Sequence, residues 1–356
     1  MITLLATVFV LGVLVFIHEL GHFLTAKAFK IRVERFSMGY PPRLFGKKIG
    51  ETDYCISAIP FGGYVKIAGM VDESMDKKQL EEEPKPWEFR SRPWIQKILV
   101  IVSGPLMNIV LAFLIYTGGI LFQGVDEVKY PVVAEVVQGK PAHAAGIHPG
   151  DRIVSVNGEK IDTWKRLTEI VYASPGKSVR LEWSRHDTLF LKDLVPVKEK
   201  ILFKGDIKEV GLIGIAPKVE TRRATFFEAV NGSTMNMYYF TRLVFVSLGK
   251  LVTGQESVRS LAGPVFIAKM AGDSARSGAS VLFGFMALIS LNLGILNLFP
   301  FPVLDGGHVL VIGIESLIRR EISIKTKMVI QQVGMVILIG LMLFATYNDI
   351  LRIFHK

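Results

Sequence analysis

ITLLATVFVLGVLVFIHELGHFLTAKAF, residues 2–29, decides how the rest of the chain is read. No charged side chain occurs from Ile2 to Ile17. His18, Glu19 and His22 then interrupt the apolar run, which resumes at Phe23 and Leu24. About twenty apolar residues suffice to cross the hydrocarbon core of a bilayer, and ionisable groups at that depth mark a functional site. On a helix, residues four apart share a face, so His18 and His22 can hold one metal ion while Glu19 flanks it. Such a site can activate a water molecule whose proton passes to the carboxylate. A lone buried histidine is commonly just a satisfied core residue. Three ionisable groups on one turn of an apolar helix do not fit that explanation.

The surrounding composition agrees with a membrane protein. The chain has 356 residues, 50% of them hydrophobic, and a mean hydropathy of +0.39. Apolar blocks near Ile2–Phe29, Ile95–Phe122, Val281–Leu298 and Met328–Phe344 read as four spans. No Lys or Arg precedes Lys27, so the first block lacks the basic start of a secretory signal and reads as a retained helix. The single Cys55 excludes an intramolecular disulfide.

A net charge of +10 could suggest nucleic acid, but its placement follows the spans. Lys30, Arg32, Arg35, Arg43, Lys47 and Lys48 follow the first block, and Arg90, Arg92 and Lys97 lead into the second. Arg319, Arg320, Lys325 and Lys327 lie between the third and fourth. By the positive-inside rule both loops are cytoplasmic and both termini are outside. A nucleic-acid partner is not expected.

Between the first two spans, residues 32–69 alternate and are rich in Gly and Pro. Tyr54, Ile56 and Ala58 lead into Pro60-Phe61-Gly62-Gly63, and Tyr64, Val65 and Ile67 follow, which reads as a hairpin on a tight turn. It is apolar enough to lie against the membrane or dip into it. Asp72–Pro86 is charged and reads as an exposed loop. The second span carries Gly104-Pro105 and then Asn108. Helix–helix hydrogen bonding and a catalytic role are equally open for that Asn.

Val132–Pro217 reads as a separate β domain with one helical stretch around Thr163–Ala173. Its phrase PAHAAGIHPGDRIVSVNG, residues 141–158, resembles a PDZ domain in the circularly permuted bacterial form, with His143 and His148 on the surface. That resemblance implies capture of peptide C-termini by strand addition, with Gly211–Ile215 as the carboxylate loop through Leu212, Ile213 and Gly214. A domain that only blocks access is the alternative. Phe226–Val252 is apolar but carries Asn231, Asn236, Arg242 and Lys250. If it crossed, the third span would end on the far side from His18 and His22, so it is expected to lie along the outer face.

After the third span comes NLFPFPVLDGGH, residues 297–308. Two prolines break the helix where irregular backbone survives only inside protein or beside a polar cavity. A catalytic zinc takes three protein ligands and keeps a fourth position for water. His18, His22 and Asp305 make that set, with Glu19 as general base. His308 is a rival ligand ranked below Asp305, and an Asp-Gly pair could also mark no more than a turn.

Together, HExxH in the first span, Gly104-Pro105 and Asn108 in the second, the PDZ-like insert and residues 297–307 resemble the bacterial site-2 protease family, closest to its RseP type. The resemblance covers nearly the whole chain, and it departs in having room for one PDZ domain where the best-known members carry two. It implies a zinc intramembrane endopeptidase acting on single-span proteins, such as pre-trimmed anti-sigma factors or remnant signal peptides. It further implies that Asn297 contacts the substrate backbone and that the hairpin, through Tyr54, Ile56, Tyr64 and Ile67, offers an edge strand.

The expected fold is membrane α-helical with four transmembrane helices, a membrane-associated β-hairpin region and an extracytoplasmic PDZ insert. Its layout is a first span over 1–30, hairpin region and loop over 31–93, second span over 94–123 and PDZ over 130–218. Interfacial helices at 224–275, a third span at 280–299, a cytoplasmic loop with the Asp-Gly-Gly segment at 300–327 and a fourth span at 328–350 complete it. The expected setting is a bacterial cytoplasmic membrane, with one Zn2+ per chain and the active site toward the cytoplasm. Two other classes fit less well. A PDZ adaptor with a non-catalytic metal site would not need Glu19, and an ion transporter should show internal repeats, which are not seen.

Overall fold

The structure, a computed structural model, describes residues 1–70, 83–203, 206–257 and 262–354. Most of the predicted 72–86 loop therefore lies outside the described residues. The chain divides into two compact units, residues 1–119 with 244–356, and residues 120–243.

Among the described residues, four helices are long and apolar enough to cross a membrane: α1 (Ile2–Ala28), α2 (Trp94–Gln123), α7 (Ala279–Asn297) and the Ile324–Arg352 part of α9 (Ile324–Phe354). Each leaves large apolar side chains exposed, such as Leu5 and Phe9 on α1, Leu106 and Leu114 on α2, and Val336 and Leu343 on α9. Exposed apolar side chains along helices of this length suit lipid.

In the first unit, α1, α2 and α7 approach closely where glycines remove the Cβ. A Cβ on Gly21 would strike the Ser103 carbonyl, and one on Gly294 would strike the Pro105 carbonyl and Ile109. Val10, Leu14 and Met286 form one core, with Val13, Leu111 and Ile115 against it. A second core joins Ala26, Val33, Ile67, Val100, Ile101 and Ile312. Near the chain's end, buried Asp349 accepts hydrogen bonds from the backbone amides of Gly263 and Phe266 at 3.1 and 2.9 Å. It thereby caps the start of α6 (Pro264–Ser277), whose Gly272 packs on Thr3 of α1.

β1 (Val33–Ile49) and β2 (Thr52–Ile67) form the sheet of this unit, and its register corrects the expected hairpin. Both strands bend back, so they act as four segments. Residues 33–38 pair with 63–67 on one side, 35–38 pair with 53–56 on the other, and 52–57 also pairs with 43–49. The residues before and after Pro60–Gly63 thus flank a common strand and do not pair with each other. The tight hairpin is instead at Gly50-Glu51, between Ile49 and Thr52. Residues 300–327 are likewise not all loop: α8 (Asp305–Ile318) starts at the Asp-Gly-Gly segment.

In the second unit, β5 (Arg152–Val156), β6 (Glu159–Lys160), β7 (Val179–Arg185) and β8 (Thr188–Leu194) form a sheet in the order β6-β5-β7-β8. β9 (Val197–Phe203) with β10 (Asp206–Leu212), β4 (Val133–Val136) with β11 (Ile215–Pro217), and β3 (Val125–Glu127) with β12 (Glu220–Arg222) form separate two-stranded sheets. α4 (Trp164–Tyr172) buries Leu167 and Val171, four residues apart, against a core that includes Ile153, Leu181 and Trp183. Thr163 caps it by accepting from the Arg166 amide. A second, five-residue helix α3 (Pro141–Ala145) begins on a proline and ends at Gly146 with φ +85°. Buried Asp151 ties the following turn together. It accepts from the His148 amide and from Arg185 through both carboxylate oxygens at 2.7 and 2.8 Å. His143 and His148 are exposed, as expected.

α5 (Phe226–Val252) is one continuous helix of 27 residues and is not among the four long and apolar enough to cross.

Candidate metal centre

Helical spacing brings His18 and His22 of α1 onto one buried face, where their Nε2 atoms are 3.2 Å apart. Asp305, in the first turn of α8, comes to meet them. Its Oδ2 is 3.2 Å from His18 Nε2 and its Oδ1 is 3.6 Å from His22 Nε2. One ligand atom from each of the three residues lies within 4.8 Å of the others. These contacts are close without being good hydrogen bonds, since the buried Asp305 Oδ2 has no hydrogen-bond partner. A buried carboxylate oxygen left unpaired beside two imidazole nitrogens is expected where a cation belongs between them.

The second span supplies the surroundings. His22 Nδ1 donates to the Val100 carbonyl at 2.8 Å, which leaves Nε2 of the neutral ring as the lone-pair nitrogen. The ring lies against Gly104, and a Cβ at that position would overlap it. Gly104 is thus needed for close approach. His18 Nδ1 lies 3.3 Å from the side-chain amide nitrogen of fully buried Asn108. Ser290 of α7 donates to the Asn108 backbone carbonyl at 2.7 Å and so joins a third helix to this point.

The residues 298–304 turn is built to deliver Asp305. Phe301 N donates to the Phe299 carbonyl and Leu304 N to the Phe301 carbonyl, folding the chain onto the start of α8. A Cβ on Gly306 would meet the carbonyls of Leu298 and Phe299, and one on Gly307 that of Phe301. The paired glycines of the Asp-Gly-Gly segment let the turn lie on the helix. Val303 holds φ +80°, a conformation a β-branched residue rarely adopts. Strain of this kind persists only where the surroundings enforce it.

The cluster opens on a cavity of about 670 Å3. Glu19 lines it, with Asn297 at the end of α7, His308 of α8 and Gln331 of α9. Its remaining wall includes residues 62–67, whose strand pairs only with 33–38 among the described residues. Glu19 also borders a smaller recess of about 170 Å3 lined by Gly12, Phe16, Met38 and Ile56.

The sequence-predicted residues divide accordingly. His18, Glu19, His22, Asp305, Asn297, Tyr64 and Ile67 meet at one cavity. Tyr54 and Ile56 do not, because their segment is paired on both sides and cannot offer an edge. Tyr54 packs instead on Phe23 and Phe36. His308 does not join the three-residue cluster; its Nε2 lies 3.0 Å from the Gln331 amide nitrogen. In the other unit, Leu212 ends β10, Ile213 is core, and Gly214 turns at φ +79° against the Lys140 side chain. The Ile213 and Gly214 carbonyls accept from the amides of Ala142 and Val137.

The chain is 36% identical over 341 residues to a Clostridium perfringens protein provisionally named a zinc metalloprotease, covering 95% of each chain. It is 28% identical over 422 residues to the zinc metalloprotease RasP of Geobacillus kaustophilus, covering 99% of this chain and 98% of that one. The crystal structure of a PDZ domain from an SdrC-like protein of Listeria innocua aligns with 27% of this chain and 99% of that domain, at 18% identity and a TM-score of 0.21. The profile of peptidase family M50 matches residues 6–341, and the chain belongs to that family.

Proposed function

We propose that this chain is a zinc-dependent endopeptidase that cuts single-span proteins within the membrane. The observation that carries the reading is the convergence of His18, His22 and Asp305 inside an apolar helix bundle, with Glu19 on the same cavity wall. His18 lies about 24 Å along α1 from Ile2 at a rise of about 1.5 Å per residue. That is the second half of a crossing about 30 Å thick.

His18, His22 and Asp305 would hold the zinc, which when bound supplies Lewis acidity, polarising a carbonyl and making a water molecule acidic near neutral pH. Glu19 accepts the proton of that water as its oxygen bonds to the scissile carbonyl carbon. It then returns the proton to the departing amine as the C–N bond breaks, so the carboxylate is regenerated. A helical substrate hides its carbonyls in its own hydrogen bonds and must unwind, which is costly in lipid. The strand of residues 63–67, which lines the same cavity and pairs with 33–38 on one side, would replace those bonds by strand addition. Asn297, which lines the same cavity, would hold the substrate backbone.

The basic loops favour a cytoplasmic-facing site with both termini and the β domain outside. The β domain reads as a PDZ module that takes peptide C-termini or restricts access, so substrates trimmed beforehand by another protease fit it, as do remnant signal peptides. The test is cleavage of reconstituted single-span proteins by zinc-loaded enzyme, with wild type and Glu19→Gln compared. Glu19→Gln should keep its zinc and lose about 10²–10⁴ in rate, the range for a general base. Cleavage at the wild-type rate by Glu19→Gln would refute the role of the base.

A further inference from the structure

Asn108 is fully buried in an apolar span, and its side-chain Oδ1 has no hydrogen-bond partner. Its amide group faces His18 Nδ1 at 3.3 Å. Side-chain amide oxygen and nitrogen are nearly isosteric, so the group can present either atom to the ring. The two orientations differ in what they impose on His18. With the nitrogen facing the ring, Nδ1 accepts, so the neutral ring carries its proton on Nε2, the atom that points at His22 and Asp305. With Oδ1 facing the ring, Nδ1 donates and Nε2 presents a lone pair to the cluster. Only the second form can ligate a cation through Nε2. His22 is already held in that form by the Val100 carbonyl.

We infer that Asn108 is a positioning residue that sets the tautomer of His18, turning its Oδ1 to Nδ1 when zinc is bound. Resting on the zinc reading above, the inference assigns the polar residue of α2 a task beyond joining helices. Pairing through Ser290 uses only the Asn108 backbone carbonyl, so it would survive loss of the side chain.

The test is zinc affinity of the full-length protein in detergent, measured by chelator competition, with thermal unfolding of the zinc-free protein alongside. Asn108→Ala should bind zinc about 10–100-fold more weakly, the usual consequence of losing a partner of a ligating histidine. Asn108→Asp, which can only accept from Nδ1, should bind at least as tightly as wild type. Ser290→Ala separates packing from ligation and should lower the unfolding temperature with zinc affinity unchanged. Wild-type affinity in Asn108→Ala, or equal weakening in Asn108→Asp and Asn108→Ala, would overturn the inference. Failure of the wild type to bind zinc would instead overturn the proposed function.

Discussion

Replacing Gly104 by Ala sets two effects of opposite sign against each other. Ala favours a helix interior over Gly by about 0.8–1.0 kcal/mol. At Gly104, however, the added Cβ would lie within the contact radius of the His22 ring, at Nε2, Cε1 and Cδ2. The ring cannot simply swing aside, because Nδ1 is bonded to the Val100 carbonyl on the same helix. Overpacking of this kind costs about 1–3 kcal/mol, so the net change should lie between neutral and about 2 kcal/mol of destabilisation. The metal centre should suffer more. A displaced His22 should weaken zinc binding about 10–100-fold, about 1.4–2.8 kcal/mol. Gly118→Ala, on the same helix with nothing within 4 Å of the added Cβ, isolates the propensity effect and should stabilise. The assay is chelator competition for zinc, with thermal unfolding of both variants in detergent. Wild-type zinc affinity in Gly104→Ala, with a rise in unfolding temperature matching Gly118→Ala, would refute the close-approach argument.

Asp349→Ala removes the acceptor for two backbone amides at the start of α6. Leaving buried donors unpaired costs about 1–3 kcal/mol each, so a clear drop in unfolding temperature is expected, with less loss in Asp349→Asn. At the start of α5, the Arg222 side chain first, then the amide and hydroxyl of Thr225, lower the Glu228 carboxyl from 4.5 to about 2. Because the folded value is depressed, this carboxylate's contribution is fully present above pH 4.5 and fades as pH falls through about 2. The pair is exposed, so the effect should be small and weaken with salt. Carboxyl NMR should find Glu228 titrating well below the ordinary 4.5 in wild type and closer to it in Arg222→Ala, where the Thr225 bonds remain.

The spans and three-residue cluster were legible because they depend on long-period signals. Hydropathy over about twenty residues is robust, and the i, i+4 spacing of His18 and His22 fixes a face of α1. Asp305 followed from its place after a broken span. The β region was harder to read. In residues 33–67 no alternation distinguishes which strand lies between two others, and Pro60–Gly63 carries stronger turn chemistry than the real hairpin at Gly50-Glu51. That inversion placed Tyr54 and Ile56 on an edge they do not occupy. α8 was hidden because glycines needed for close approach also read as a loop, although the apolar pattern of Val309, Ile312 and neighbours continues beyond them. Asn108 stood out as a polar residue in a span, but its partner, 90 positions away, is set by how α1 and α2 cross at Gly21 and Gly104.

One zinc ion held by His18, His22 and Asp305 within the helices would have a distinct signature in zinc X-ray absorption of the purified protein. The expected result is one zinc per chain, with two imidazole nitrogens near 2.0–2.1 Å and carboxylate oxygen at about 2.0–2.2 Å. Asp305→Ala should lose the carboxylate contribution and most of the zinc. A sulfur ligand from Cys55, or a coordination shell unchanged by Asp305→Ala, would contradict it.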